Sequence, residues 1–121
     1  MTVNQVLTTL DELTPNALST ERKLQWLAAL EGQLYEQVIT RHEGTVADAP
    51  GPLLPETVLL VEDPYSELYV LYLQAKVAQA NSETERFNDA AAAYDSALRN
   101  YCNALRRAHM PVSDATRWRV L

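Results

Sequence analysis

"EDPYSELYVLYLQAKVA", Glu62 to Ala78, places tyrosines at 65, 69 and 72 and fills most of the other positions with aliphatic side chains. On a helical wheel Leu68, Tyr72, Ala75 and Gln79 share one face. Tyr65, Tyr69, Tyr72 and Lys76 share the next, Val70, Leu73 and Val77 lie on another, and Leu71 and Ala78 on yet another. Only the strip through Glu67 and Gln74 is polar. A helix that is apolar all round is buried all round. In a small four-helix domain a fully central helix is hard to arrange, so the surplus apolar surface is expected to meet a second subunit. Tyrosine suits such a contact, because it buries a ring and keeps a polar end. A well-covered core helix is the plainer alternative.

Working outward, Asp63 and Pro64 read as the cap and first position of this helix, which extends over 63–81. Ser82 and Glu85 form a capping box for a fourth helix, ending at His109 to Pro111. Its stripe is Phe87, Ala91, Tyr94, Leu98, Tyr101 and Leu105, spaced alternately by four and three, the seam of a helix packed along another. Toward the N-terminus, Thr2 and Gln5 make a capping box for a helix over 3–13, stopped by Thr14-Pro15-Asn16. Ser19 caps a second helix over 19–41, with Leu24, Leu27, Leu34 and Val38 on its apolar face. Gly32 sits inside it, from either a close helix crossing or simple tolerance.

Residues 42–61, "HEGTVADAPGPLLPETVLLV", break every periodicity. A loop of this length is uncommon in a small domain. Its end, Thr57 to Val61, is β-prone, and either pairs with a strand of another subunit or lies extended across the bundle. The expectation is therefore one all-α, four-helix bundle-like domain over 1–111, with a long Pro/Gly-rich loop between helices 2 and 3 and an extended C-terminal tail over 112–121.

The chain has 121 residues and a net charge of −6, against general nucleic-acid affinity. Up to Asp63 there are ten acids and three bases; from Arg99 onward there are five arginines and one acid. Oppositely charged regions can be the two sides of one self-assembling contact, or ordinary solvated surface. The single cysteine, Cys102, reads as a small half-buried side chain rather than a nucleophile. No apolar run is long enough for a membrane span, and "MTVNQVLTTLDEL" lacks the pattern of a signal peptide.

No Gly-rich phosphate loop, CxxC or HExxH spacing is present, so no catalytic residue, cofactor or metal is expected. His42 and His109 each adjoin a helix end, where the helix dipole accounts for them. Arg106 and Arg107 with His109 are either dipole-complementing surface or phosphate contacts. In the tail, Arg117, Trp118 and Arg119 join two cations to a large aromatic, the composition of an interface anchor.

A resemblance enters at Leu59 to Pro111. A hydrophobic run precedes Pro64-Tyr65 and Leu68-Tyr69. A break follows at Asn81-Ser82-Glu83, then Arg86 with Asn88, then an alanine- and tyrosine-rich helix closing on Arg107, His109 and Pro111. The first part adds a Pro-Asn turn, "WLAALEGQLY" and "HEG". This pattern resembles small head–tail connector (adaptor, head-completion) proteins of long-tailed double-stranded-DNA bacteriophages. Ser82 stands where such sequences carry glycine, which leaves a kink or a longer helix as alternatives to a tight turn.

The resemblance implies a structural virion protein and no enzyme. Such connectors form a homo-oligomeric ring of about twelve subunits beneath the capsid portal. The ring joins portal to tail, extends the DNA channel and docks the next tail or stopper component. DNA passes through without sequence-specific binding, and the protein resides in the host cytoplasm before assembly. The oligomer or partner interface expected from the helical wheel and the basic C-terminal end comprises Tyr65, Tyr69, Tyr72, Arg106, Arg107, Arg117, Trp118 and Arg119. The competing reading is a small helical regulatory or nucleic-acid-binding protein, for which only the basic C-terminal end speaks.

Overall fold

The structure, a computed structural model, describes residues 1–39 and 51–108. Four helices follow one another: α1 Val3–Leu13, α2 Thr20–Gln37, α3 Glu67–Ala80 and α4 Thr84–Ala108. The all-α, bundle-like architecture expected from the periodicities is present.

The start of α1 follows from its first residues. The Gln5 N–H donates to Thr2 Oγ1 at 3.2 Å and the Thr2 N–H donates to Gln5 Oε1 at 2.9 Å, which satisfies two amides that a helix start leaves open. Val3, Val6 and Leu10, at spacings of three and four, then face the core. Past Leu13, Asn16 organises the turn by donating to the Thr14 carbonyl and accepting from the Leu18 N–H. Ser19 caps α2 by accepting from the Arg22 N–H. Helix α2 buries Leu27, Leu30 and Leu34 together with Lys23 and Glu31. Lys23 is paired, its Nζ 2.7 Å from Asp11 on α1. A Cβ added at Gly32 would meet nothing within 4 Å, so this glycine reflects tolerance and not a close crossing.

Three boundaries differ from the sequence reading. Helix α2 ends at Gln37, short of position 41; residues 40 and 41 lie outside the described residues, as do residues 42–50 of the expected loop. Helix α3 begins at Glu67, not at 63. The Asp63–Pro64 peptide is cis, and residues 63–66 run as turns in which the Ser66 hydroxyl donates to the Asp63 carboxylate. Asp63 therefore caps a turn and not the helix. Ser82 does not start α4. It has φ of 57°, and the Ser82 N–H donates to the Gln79 carbonyl while the Glu83 N–H donates to the Ala78 carbonyl. That paired arrangement is the left-handed stop of a helix, normally made with glycine. The tight turn is thus present with serine in it. Glu83, whose carbonyl accepts from the Phe87 N–H, passes the chain straight into α4.

The described part of the loop is not loose. Thr57 to Val61 lies extended across the bundle and meets the N-terminus antiparallel, through an isolated bridge between Thr2 and Val58. The Val3 N–H donates to the Thr57 carbonyl at 2.9 Å and the Leu59 N–H to the Met1 carbonyl at 3.0 Å. Leu59 and Val61 point inward and are buried, while Val58 before them is 73% exposed and Leu60 between them is half-buried, the alternation of a strand with one buried side.

Helix α3 sits at the centre. It touches α1, α2 and α4, and it buries Leu68, Tyr69, Val70, Leu73, Ala75, Val77 and Ala78. Most of the expected surplus of apolar surface on this helix is thus covered within one chain, by three helices and the extended segment, while Leu71 and Tyr72 stay half-buried. Even its polar strip is used: Gln74 Nε2 donates to Thr14 Oγ1 at 3.0 Å.

Candidate functional site

The three tyrosines divide into two roles. Tyr65, in the turn before α3, and Tyr72 on α3 are seven positions apart and both meet α4. Tyr101 and Tyr94 of α4 have the same separation and run the opposite way. The rings meet pairwise, Tyr65 with Tyr101 at 5.8 Å between centroids and Tyr72 with Tyr94 at 5.3 Å, both tilted. Offset, tilted rings at this range attract through their quadrupoles. Lys76 lies over the Tyr72 ring, 5.6 Å from its centroid. Burial pushes the hydroxyls of Tyr94 and Tyr101 up to about 12. Tyr65 and Tyr72 are half-buried and keep an outer edge in solvent.

Tyr69 turns the other way. Its ring is wholly buried. Its hydroxyl donates to Glu31 Oε1 and accepts from the Val61 N–H at 2.9 Å. Glu31 Oε2 accepts from the Leu60 N–H at 3.1 Å. One carboxylate thus joins α2, α3 and the extended segment, with both oxygens taken. Burial raises the Glu31 carboxyl above its usual range, against the pull of its two donors, and raises the Tyr69 hydroxyl strongly. Tyr69 is therefore removed from the expected interface set: nothing of it reaches the surface, because its hydroxyl is needed inside by Glu31 and Val61.

Arg106 and Arg107 are exposed in the last described turn of α4, where they complement the carbonyl end of the helix dipole. Cys102 is half-buried one turn before Arg106. Desolvation raises its thiol and Arg106 pulls it down. A thiol held in that state is a poor nucleophile. Arg117, Trp118 and Arg119 lie outside the described residues, as do His42 and His109.

A cleft of about 540 Å³ opens where the end of α1 meets α3 and the first half of α4. Leu13, Leu71 and Ala78 line one side, Ala90 and Ala93 the other, with Glu83, Arg86 and Asp89 at the rim. The alanines of α4 make the space. Leu13, at its lip, is 63% exposed. Arg86 is paired with Glu83 at 3.0 Å, and Asp89 has no ion pair among the described residues. Among the described residues no three His, Cys, Asp or Glu side chains gather to hold a metal ion, and no helix is long and apolar enough to cross a membrane.

Sequence reasoning passed over Glu31, Tyr94 and Tyr101 as partners of the tyrosines. For Tyr94 the signal was available, since Tyr72 and Tyr94 lie on the apolar stripes of two helices joined by a short turn. For Glu31 it was not, because its partners lie 29 and 38 positions away. No family model matches this chain, and neither a curated protein nor a solved structure matches it.

Proposed function

We propose that this chain is a structural assembly subunit, a head–tail connector that joins copies of itself into a ring between a phage portal and the tail. The observation that carries the reading is the position of α4. This helix of 25 residues contributes a single residue, Tyr101, to the buried set and packs chiefly on α3. A helix this long normally buries a full stripe. In α4, Tyr94, Ala97, Leu98 and Leu105 pack on the core but stay half-buried, and Ala92, Ala93 and the cleft beside Leu13 are left open by the described residues. A neighbouring subunit would cover them.

The sequence resemblance from Leu59 to Pro111 supports the same reading. So does the charge distribution, with the acidic residues before Pro64 and the arginines from Arg99 onward on different parts of the chain. Unlike charges at the two ends of a repeated contact favour a head-to-tail arrangement, which closes into a ring when the rotation permits. The interface thus moves from the middle of α3, where the sequence pattern placed it, to α4, the cleft and the outer edges of Tyr65 and Tyr72.

The test is mass in solution by light scattering, with electron microscopy of the protein alone and mixed with a portal ring. A closed ring, alone or on the portal, is the expected result. A protein that stays monomeric in both and instead binds duplex DNA in a salt-dependent way would sink the proposal in favour of a nucleic-acid-binding role.

A further inference from the structure

The cleft beside Leu13 sets the apolar Leu13, Leu71 and Val77 beside the polar Thr14, Gln74 and Asn81, with small side chains on one wall and, at its rim, Asp89, an acid with no ion pair among the described residues. It calls for a large apolar group flanked by cations. The chain carries one such group outside the described residues, Arg117-Trp118-Arg119, with Val120 and Leu121 beyond it. We propose that the cleft of each subunit receives the Trp118 segment of a neighbouring copy, with the indole against Leu13, Leu71 and Ala93 and one flanking arginine on Asp89. This rests on the assembly reading above and gives it a specific contact.

The source of the segment follows from chain length. Ala93, against which the indole is placed, and Ala108 are fifteen positions apart on α4, about 22 Å along the axis at 1.5 Å per residue. Only ten residues lead from Ala108 to Trp118. An extended chain rising about 3.3 Å per residue uses about seven of them to travel back, and reversing direction takes about four more. The backbone of the chain's own tail falls short of setting Trp118 beside Ala93. A neighbour's tail has no such limit, and a tail placed in the next subunit's cleft is a head-to-tail contact of the kind that builds rings.

Two measurements on the full-length chain test this. In a Cys102→Ala background, cysteines at Ala93 and Val120 are oxidised mildly and run on non-reducing gels. Crosslinks between chains are expected; crosslinks only within one chain, or none, overturn the proposal. Separately, a labelled peptide of residues 112–121 is titrated onto the Trp118→Ala chain. Saturable binding is expected, weakened about tenfold or more when Ala93→Phe fills the cleft or when the peptide's own tryptophan is alanine. Binding indifferent to Ala93→Phe overturns the proposal, provided circular dichroism shows that variant helical. The two readings separate cleanly: rings without the crosslink refute the cleft contact alone, and peptide capture by a chain that never forms rings refutes the connector alone.

Discussion

Glu31 and Tyr69 show how much one polar pair can organise. Two donors, the Tyr69 hydroxyl and the Leu60 N–H, converge on a carboxylate that exposes 2% of its surface. Tyr69→Phe leaves the Val61 N–H without its acceptor and Glu31 without one donor, and a buried group so orphaned costs about 1–3 kcal/mol. The pH dependence has a definite sign. Burial holds the Glu31 carboxyl above its ordinary 4.5, so the stability linked to its proton is present below that value and is lost as pH rises through the folded one. Removing the Tyr69 donor raises the folded value further. The cost of Tyr69→Phe in urea unfolding should therefore be greater near about pH 7 than near about pH 4; equal costs at both would mean the hydroxyl is not coupled to an ionisable Glu31. Ser82 makes the opposite case. A serine at φ 57° bears the Cβ conflict of left-handed backbone. Ser82→Gly should stabilise the chain by about 0.5–1 kcal/mol, less than the full conflict because glycine also loosens the unfolded chain. A fall in Tm would show that the serine side chain has a role of its own there.

Among the elements, the extended segment is the one whose weight in the fold is easiest to underrate. Leu59 and Val61 are core residues although they belong to no helix. Leu59→Ala should cost about 2–5 kcal/mol, as for a buried leucine in a helix. The amides of Leu59, Leu60 and Val61, bonded to Met1, Glu31 and Tyr69, should exchange with solvent far more slowly than that of Val58. Rapid exchange at all four would mean the segment detaches readily from the bundle. Helices α3 and α4 form the other notable pair. Their short connection and the two tilted tyrosine contacts fix an antiparallel register with little help from the rest of the chain.

For the whole molecule, assembly and stability are linked. If copies associate through the folded state, mass action makes Tm rise with protein concentration. We expect that dependence in the full-length chain and expect it to flatten on deletion of residues 112–121, most clearly at low salt, where exposed charge pairs act over longer range. A Tm independent of concentration in the full-length chain, with or without portal, counts against self-association.

By itself the sequence determined that four helices exist, their order, the capping box at Thr2 and the cap at Ser19, because these depend on side chains within one or two turns of each other. The seam of α4 was legible for the same reason. Tertiary structure alone decided what covers α3. An all-apolar wheel states that every face must be buried but not by which partner, and the partners are α1, α2, α4 and a strand-like segment from a region that looked like loop. It also decided that Tyr69 faces inward while Tyr65 and Tyr72 face α4. Three tyrosines spaced at helical intervals look alike in the sequence. What separates them is a glutamate 38 positions away, placed by the packing of another helix.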